Sequence, residues 1–330
     1  MRREMTNPIV LRLGLLAILA LVPAVQSNQY WLHVFSIALI SVILALGLQL
    51  LLGMAGLLSL GQGAFFGIGA YAAAILAASY GLPFLLAVAA GGVVAAAASL
   101  LLVPIVRLKG PSLAVATLGF SIIVHLVILN EDSLTGGSIG MMDIPKPTLF
   151  GFNVGSEFAY YYVCLVFAGL VYWGMERLTT SRFGRALMAM SQDEEAARAS
   201  GIPVTLYKSK CFLVAAFTAG MAGALFAYHT RYLSPNDFTF QRSIDILIMV
   251  VVGGLGSLPG AALGAAIVVL TPEFLRSSGE LRLILFGLLV IILAGLGNRG
   301  LAGLISALAA KLGALRRAHA PPAPLPVEER

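Results

Sequence analysis

Long apolar runs separated by short polar stretches occupy most of the chain. They lie near 9–26, 31–52, 62–79, 84–106, 113–130, 159–177, 211–229, 244–256, 260–275 and 283–297. A helix needs about 20 mostly apolar residues to cross the hydrocarbon core of a bilayer. The runs at 244–256 and 260–275 fall short of that and are divided by Gly-Ser-Leu-Pro-Gly, so about eight to ten spans are expected. The pattern predicts an all-α, polytopic membrane protein in which some helices are broken at glycine-rich segments. Composition agrees: 59% of the 330 residues are hydrophobic and 11% charged, and the mean hydropathy is +0.94. Lipid is therefore the solvent for most of the chain. Met1-Arg2-Arg3 and the apolar run behind it are read as the start of a first span rather than as a cleaved leader.

Basic residues favour the cytoplasmic ends of spans. With ten spans and both termini cytoplasmic, Arg107, Lys109, Arg182, Arg185, Lys208 and Lys210 fall inside with Arg2, Arg3 and Arg299, whereas Lys146, Arg231, Arg242, Arg276 and Arg282 fall outside. The loop 178–210 is then cytoplasmic, and the acidic loop 131–158 is periplasmic. The net charge of +6 follows from this topology. It builds no continuous patch for nucleic acid. Cys164 and Cys211 lie in or beside spans and make no disulfide framework.

The loop 178–210 is the most charged stretch between spans. Ser181 can cap a helix carrying one apolar stripe through Phe183, Leu187, Met190, Ala197 and Gly201, which Gly201 can stop and Pro203 cannot prolong. Glu194 and Arg198 stand at i and i+4. Within it Glu195, Ala196, Ala197 and Gly201 give the spacing E-A-A-x-x-x-G, on a helix placed to be pushed from the cytoplasmic side.

Six glycines between 53 and 69 argue against a continuous straight helix there, since each costs about 1 kcal/mol relative to alanine. Such breaks are tolerated at membrane depth where the backbone lines a cavity or is buried in protein. Ser59, Gly61, Gln62 and Gly63 are the candidate translocation-pathway residues. The alternative is close packing through small residues, which Gly63-x-x-x-Gly67 and Gly260-x-x-x-Gly264 also fit. A second break at 253–260 resembles the first, as an internal repeat would.

Three stretches, GMAGLLSLGQGAFFGIGAY at 53–71, LTGGSIG at 134–140 and GGLGSLPG at 253–260, together with E-A-A-x-x-x-G, resemble the branched-chain amino acid permeases of ATP-binding-cassette importers, of LivH and LivM type. The likeness covers about 36–300, and the long 131–158 loop carrying Thr-Gly-Gly is closer to the LivM branch. The resemblance implies a multi-pass permease of the bacterial inner membrane that moves leucine, isoleucine, valine or a related solute by alternating access. It implies a second, LivH-like permease, two cytoplasmic ATPases and a periplasmic solute-binding protein as partners. Glu195, Ala196, Ala197 and Gly201 would then form the coupling helix seated on an ATPase. In these terms 1–30 is the N-terminal end with the first span, 31–300 the permease domain, and 301–330 a cytoplasmic segment ending in a disordered proline-rich tail.

Other motif matches are rejected. Residues 136–140 satisfy G-x-S-x-G, but in a Gly- and Pro-rich loop rather than a strand-to-helix turn. Residues 295–300 satisfy G-x-G-x-x-G at the end of a span, without the following strand and acid of a dinucleotide site. No phosphate-binding loop occurs, so ATP would be used by partner subunits; the chain is expected to be no enzyme and to bind no cofactor. No metal-ligand spacing occurs either, and His33 and His125 read as packing or hydrogen-bonded residues. The scarcity of ionisable residues within spans speaks against the competing class, an ion-coupled secondary transporter or channel for a small polar solute.

Overall fold

The structure, a computed structural model, describes residues 19–23, 28–149, 151–276, 279, 281–295, 301 and 303. The expected first span lies outside the described residues apart from a helical stretch at 19–23. The proline-rich tail, residues 296–300 of the G-x-G-x-x-G match, and Arg2, Arg3 and Arg299 also lie outside them.

The remaining apolar runs form helices, because in lipid every backbone polar group must find its partner within the protein. Helix α1 (Gln29–Gln49) continues into a π-helical segment at Leu50–Met54. Then come α2 (Gln62–Tyr80), α3 (Phe84–Ser99), α4 (Pro111–Asn130) and α5 (Glu157–Thr180). Two short amphipathic helices, α6 (Arg182–Gln192) and α7 (Glu194–Ala199), precede the longest helix, α8 (Val204–Thr230). Helices α9 (Phe240–Gly253), α10 (Leu258–Phe274) and α11 (Leu281–Gly295) follow. Six helices are long and apolar enough to cross a membrane, and the only extended pair among the described residues is Thr148–Leu149 with Phe152–Asn153.

The centre of the bundle is α8, buried almost all round, with α2 and α3 packed on it. Small residues make this possible: a methyl group at Gly69 would collide with the backbone of Gly220, and one at Gly223 with the carbonyl of Phe66. Such close backbone approach is a common way for helices to associate where lipid supplies no hydrophobic drive. By contrast α4 turns Val115, Ile123, Leu126 and Val127 outward.

Chain direction defines two ends. The α6–α7 end also holds the C-terminal end of α1 and the start of α8. At the opposite end Met141 bridges Leu233 and the Tyr232 hydroxyl donates to the Ile139 carbonyl at 2.9 Å, joining the 131–156 and 230–239 loops. Helices α9 and α10 form a hairpin that turns through Gly254–Ser257, with Phe274 returning to pack against Trp31 at the start of α1.

Candidate functional site

The charged loop is not the single helix its pattern predicts. Asp193 leaves the helical region (φ −151°, ψ 108°), and its carboxylate accepts from the amides of Glu195 (2.9 Å) and Ala196 (3.0 Å), ending α6 and capping α7. A short acidic side chain competes with the helical ladder in this way wherever it sits mid-run. Ser181 caps α6 as expected, accepting from the amides of Phe183 and Gly184. Leu187, Met190 and Ala197 are buried, so the apolar stripe packs inward. Gly201 ends the motif at φ +83°, a left-handed conformation that a side chain would strain, although the space around it is open. The Glu195 side chain projects outward, 89% exposed.

Glu194 is the anchor of this pair. Its carboxylate accepts from Lys208 Nζ at 2.9 Å and from Arg198 Nη2 at 2.9 Å, with Lys109 Nζ 4.0 Å away. The Lys208 side chain is only 5% exposed, so this ion pair is largely withdrawn from water. Burial alone pushes the Glu194 carboxyl up; the hydrogen bond and charge of Lys208, helped by Lys109 and Arg198, outweigh it and hold the group below the usual carboxylate range.

A contact route leads inward from α6. Gly56, at φ +67° in the first break, backs onto Ser191, whose Cβ would lie 3.2 Å from a Cβ at that position. Three residues earlier, a Cβ at Gly53 would lie 2.7 Å from the amide nitrogen of Gly256 in the second break. Gln49 Nε2 donates to the Gly254 carbonyl at 3.3 Å, and the Cys211 thiol donates to the Leu50 carbonyl at 3.6 Å. The two glycine-rich breaks therefore meet, with Gly53 against Gly256.

The expected pathway residues are buried beside the first break. Ser59 and Gln62 have no exposed surface. Amides freed by the break are satisfied by side chains: remote ones at Leu60, which donates to Thr117 Oγ1 (2.9 Å), and Gly63, which donates to Ser243 Oγ (2.9 Å), and a local one at Gly61, which donates to Ser59 Oγ (3.3 Å). Gln62 Nε2 donates to the Ala215 carbonyl at 3.2 Å. The carboxamide oxygens of Gln49 and Gln62 and the hydroxyl of Ser121 are buried with no hydrogen-bond partner among the described residues. Gln49, Thr117, Ser121 and Ser243 thus join the site without having been singled out. The available signal was an isolated polar residue inside an apolar run.

Known proteins resemble this sequence over most of its length. The sequence model of the branched-chain amino acid transport system permease component matches residues 30–294. The chain belongs to the branched-chain amino acid permease family. It is 36% identical over 315 residues to the high-affinity branched-chain amino acid transport system permease protein LivM of Escherichia coli, covering 86% of this chain and 72% of that one. The LivM protein of Salmonella typhimurium is 36% identical over 282 residues, 78% of this chain and 66% of the relative. Similarity to LivH of Salmonella typhimurium is lower, 30% over 164 residues, 46% of this chain and 50% of the relative. The permease is therefore of LivM type. No solved structure matches the chain.

Proposed function

We propose that this permease is one half of the transmembrane channel of an ATP-driven importer in the bacterial inner membrane, moving branched-chain or chemically related amino acids. A LivH-like permease completes the pathway, two separate ATPases bind on the α6–α7 side, and a solute-binding protein delivers substrate to the opposite end. The chain itself performs no chemistry; ATP is hydrolysed by its partners.

The observation carrying this reading is the unbroken contact route from α6 through Gly56 and Gly53 to Gly256. ATPase closure displaces α6–α7, Ser191 presses on the first break, and the two breaks shift together. A rigid-body push converted at hinge-like breaks gives alternating access. Glu195 and Ala196 present the outward surface for docking, Ala197 fixes α7 to the bundle, and Gly201 frees the chain to turn into α8. Ser59, Gly61, Gln62 and Gly63, buried at the first break, come to face solute when the breaks shift, and the unpartnered oxygens of Gln49 and Gln62 then suit the passage of an ammonium group.

Co-purification of the full chain from mild detergent, followed by leucine uptake and ATPase assays in proteoliposomes, tests the proposal. A second permease and two ATPases are expected, with hydrolysis stimulated by one binding protein. The Gly201→Trp variant is expected to insert and assemble but lose uptake. Recovery of a homo-oligomer free of ATPases, or full uptake by an assembled Gly201→Trp complex, would overturn it.

A further inference from the structure

At the end opposite α6–α7 three helices bring together His33 near the start of α1, Glu157 at the first position of α5, and His229 in the last turn of α8. One ligand atom from each lies within 4.8 Å of the others. His33 Nδ1 is 3.3 Å from Glu157 Oε1, and His229 Nδ1 is 4.0 Å from Glu157 Oε2. The imidazoles are stacked with centroids 4.1 Å apart, and the Tyr160 ring stacks on His229 at 5.1 Å.

The protonation pattern is legible from the partners. His229 Nε2 lies 3.2 Å from the backbone carbonyl of His33, which can only accept, so the ring proton sits on Nε2 and Nδ1 presents its lone pair. That lone pair faces Glu157 Oε2, which is buried and has no hydrogen-bond partner among the described residues. Two acceptors held face to face away from water repel each other, and a cation between them removes the conflict. Donation of the second ring N–H to a backbone carbonyl is also how metal-ligating histidines are usually oriented.

We propose that His33, Glu157 and His229 form a binding site for a divalent transition-metal ion, zinc foremost. Two imidazole nitrogens and one carboxylate oxygen are a three-residue zinc set that leaves a fourth position open. Magnesium and calcium prefer oxygen donors, and softer metals prefer sulfur. With metal bonds of about 2.0–2.1 Å, tetrahedral neighbours stand about 3.3 Å apart. Of the three pairs, His33–Glu157 already has that spacing, His229–Glu157 closes by less than about 1 Å, and the two histidine nitrogens, no more than 4.8 Å apart, close by up to about 1.5 Å. The stacked rings must splay, which His33 permits because its side chain is 37% exposed. No local spacing announces the site, since each ligand comes from a different helix. Bound metal would tie the starts of α1 and α5 to the end of α8.

The test is calorimetric titration of the tag-free full chain in mild detergent with ZnCl2, with CoCl2 as a spectroscopic probe. One equivalent per chain is expected, with the visible absorption of tetrahedral cobalt and a zinc-dependent rise in thermal stability. His33→Ala and Glu157→Gln should each weaken binding at least about tenfold, as loss of metal-site groups does, while His125→Ala in α4 leaves it unchanged. Thermal unfolding without metal establishes that the variants are folded. Absence of saturable binding, or equal binding by wild type and folded His33→Ala, would overturn the site.

Discussion

The interior around α8 and the α6–α7 pair are held in opposite ways. Around Gly220 no spare volume exists, and stability is spread over many small contacts that exclude any added atom. The helix pair rests a single narrow apolar stripe on the bundle and is otherwise held by a few discrete polar ties, two caps and a buried ion pair, with much of its surface exposed. A region of the first kind resists displacement as a block. One of the second kind can move as a unit once its few ties are loaded, which suits a part that receives force.

Substitutions can break or sharpen that contrast. Gly220→Leu should cost upwards of about 3 kcal/mol and prevent accumulation of folded protein, read by size-exclusion yield. Gly119→Leu, in α4 where the space is open, should leave that yield unchanged. Lys208→Met should destabilise by about 1–3 kcal/mol in detergent unfolding, because Glu194 keeps its charge in a site that is 16% exposed. The double variant with Glu194→Gln should recover part of the loss.

Acid should loosen the same tie. Since Glu194 is held below its ordinary range, its stabilising contribution is full above the unfolded-state value and is lost as pH falls through the lower, folded-state value. A fall in melting temperature in that acidic window should therefore be smaller in Glu194→Gln. Asp193→Ala should cost about 1 kcal/mol and speed hydrogen exchange at the Glu195 and Ala196 amides, with Asp193→Asn close to wild type. Glu195→Gln should change stability by less than about 0.5 kcal/mol, its one ion-pair contact among the described residues being Lys109 at 3.8 Å. Transport lost in that variant then reports a contact outside the chain.

The spans were legible because an apolar run of bilayer length has few other uses, and each run from 31 onward forms helix over most of its described residues. The interruption at Gly254–Ser257 was equally plain in Gly-Ser-Leu-Pro-Gly. Asp193 hid because acidic residues are ordinary on an exposed helix face, and only its backbone angles reveal a cap. Lys208 read as one more inside charge, and its burial depends on Glu194 folding back from fourteen residues earlier. The expected pathway residues were found where the break is, but their hydrogen-bond partners Thr117, Ala215 and Ser243 are too remote in sequence for any local pattern to expose.

The α9–α10 hairpin bears on how the chain is made. At 14 and 17 residues, each arm is shorter than the about 20 that mark a segment for insertion on its own. Arms of that length favour entering the bilayer as a pair over entering singly. On that order the second break reaches Gly53 only once the earlier helices stand in the membrane to receive it.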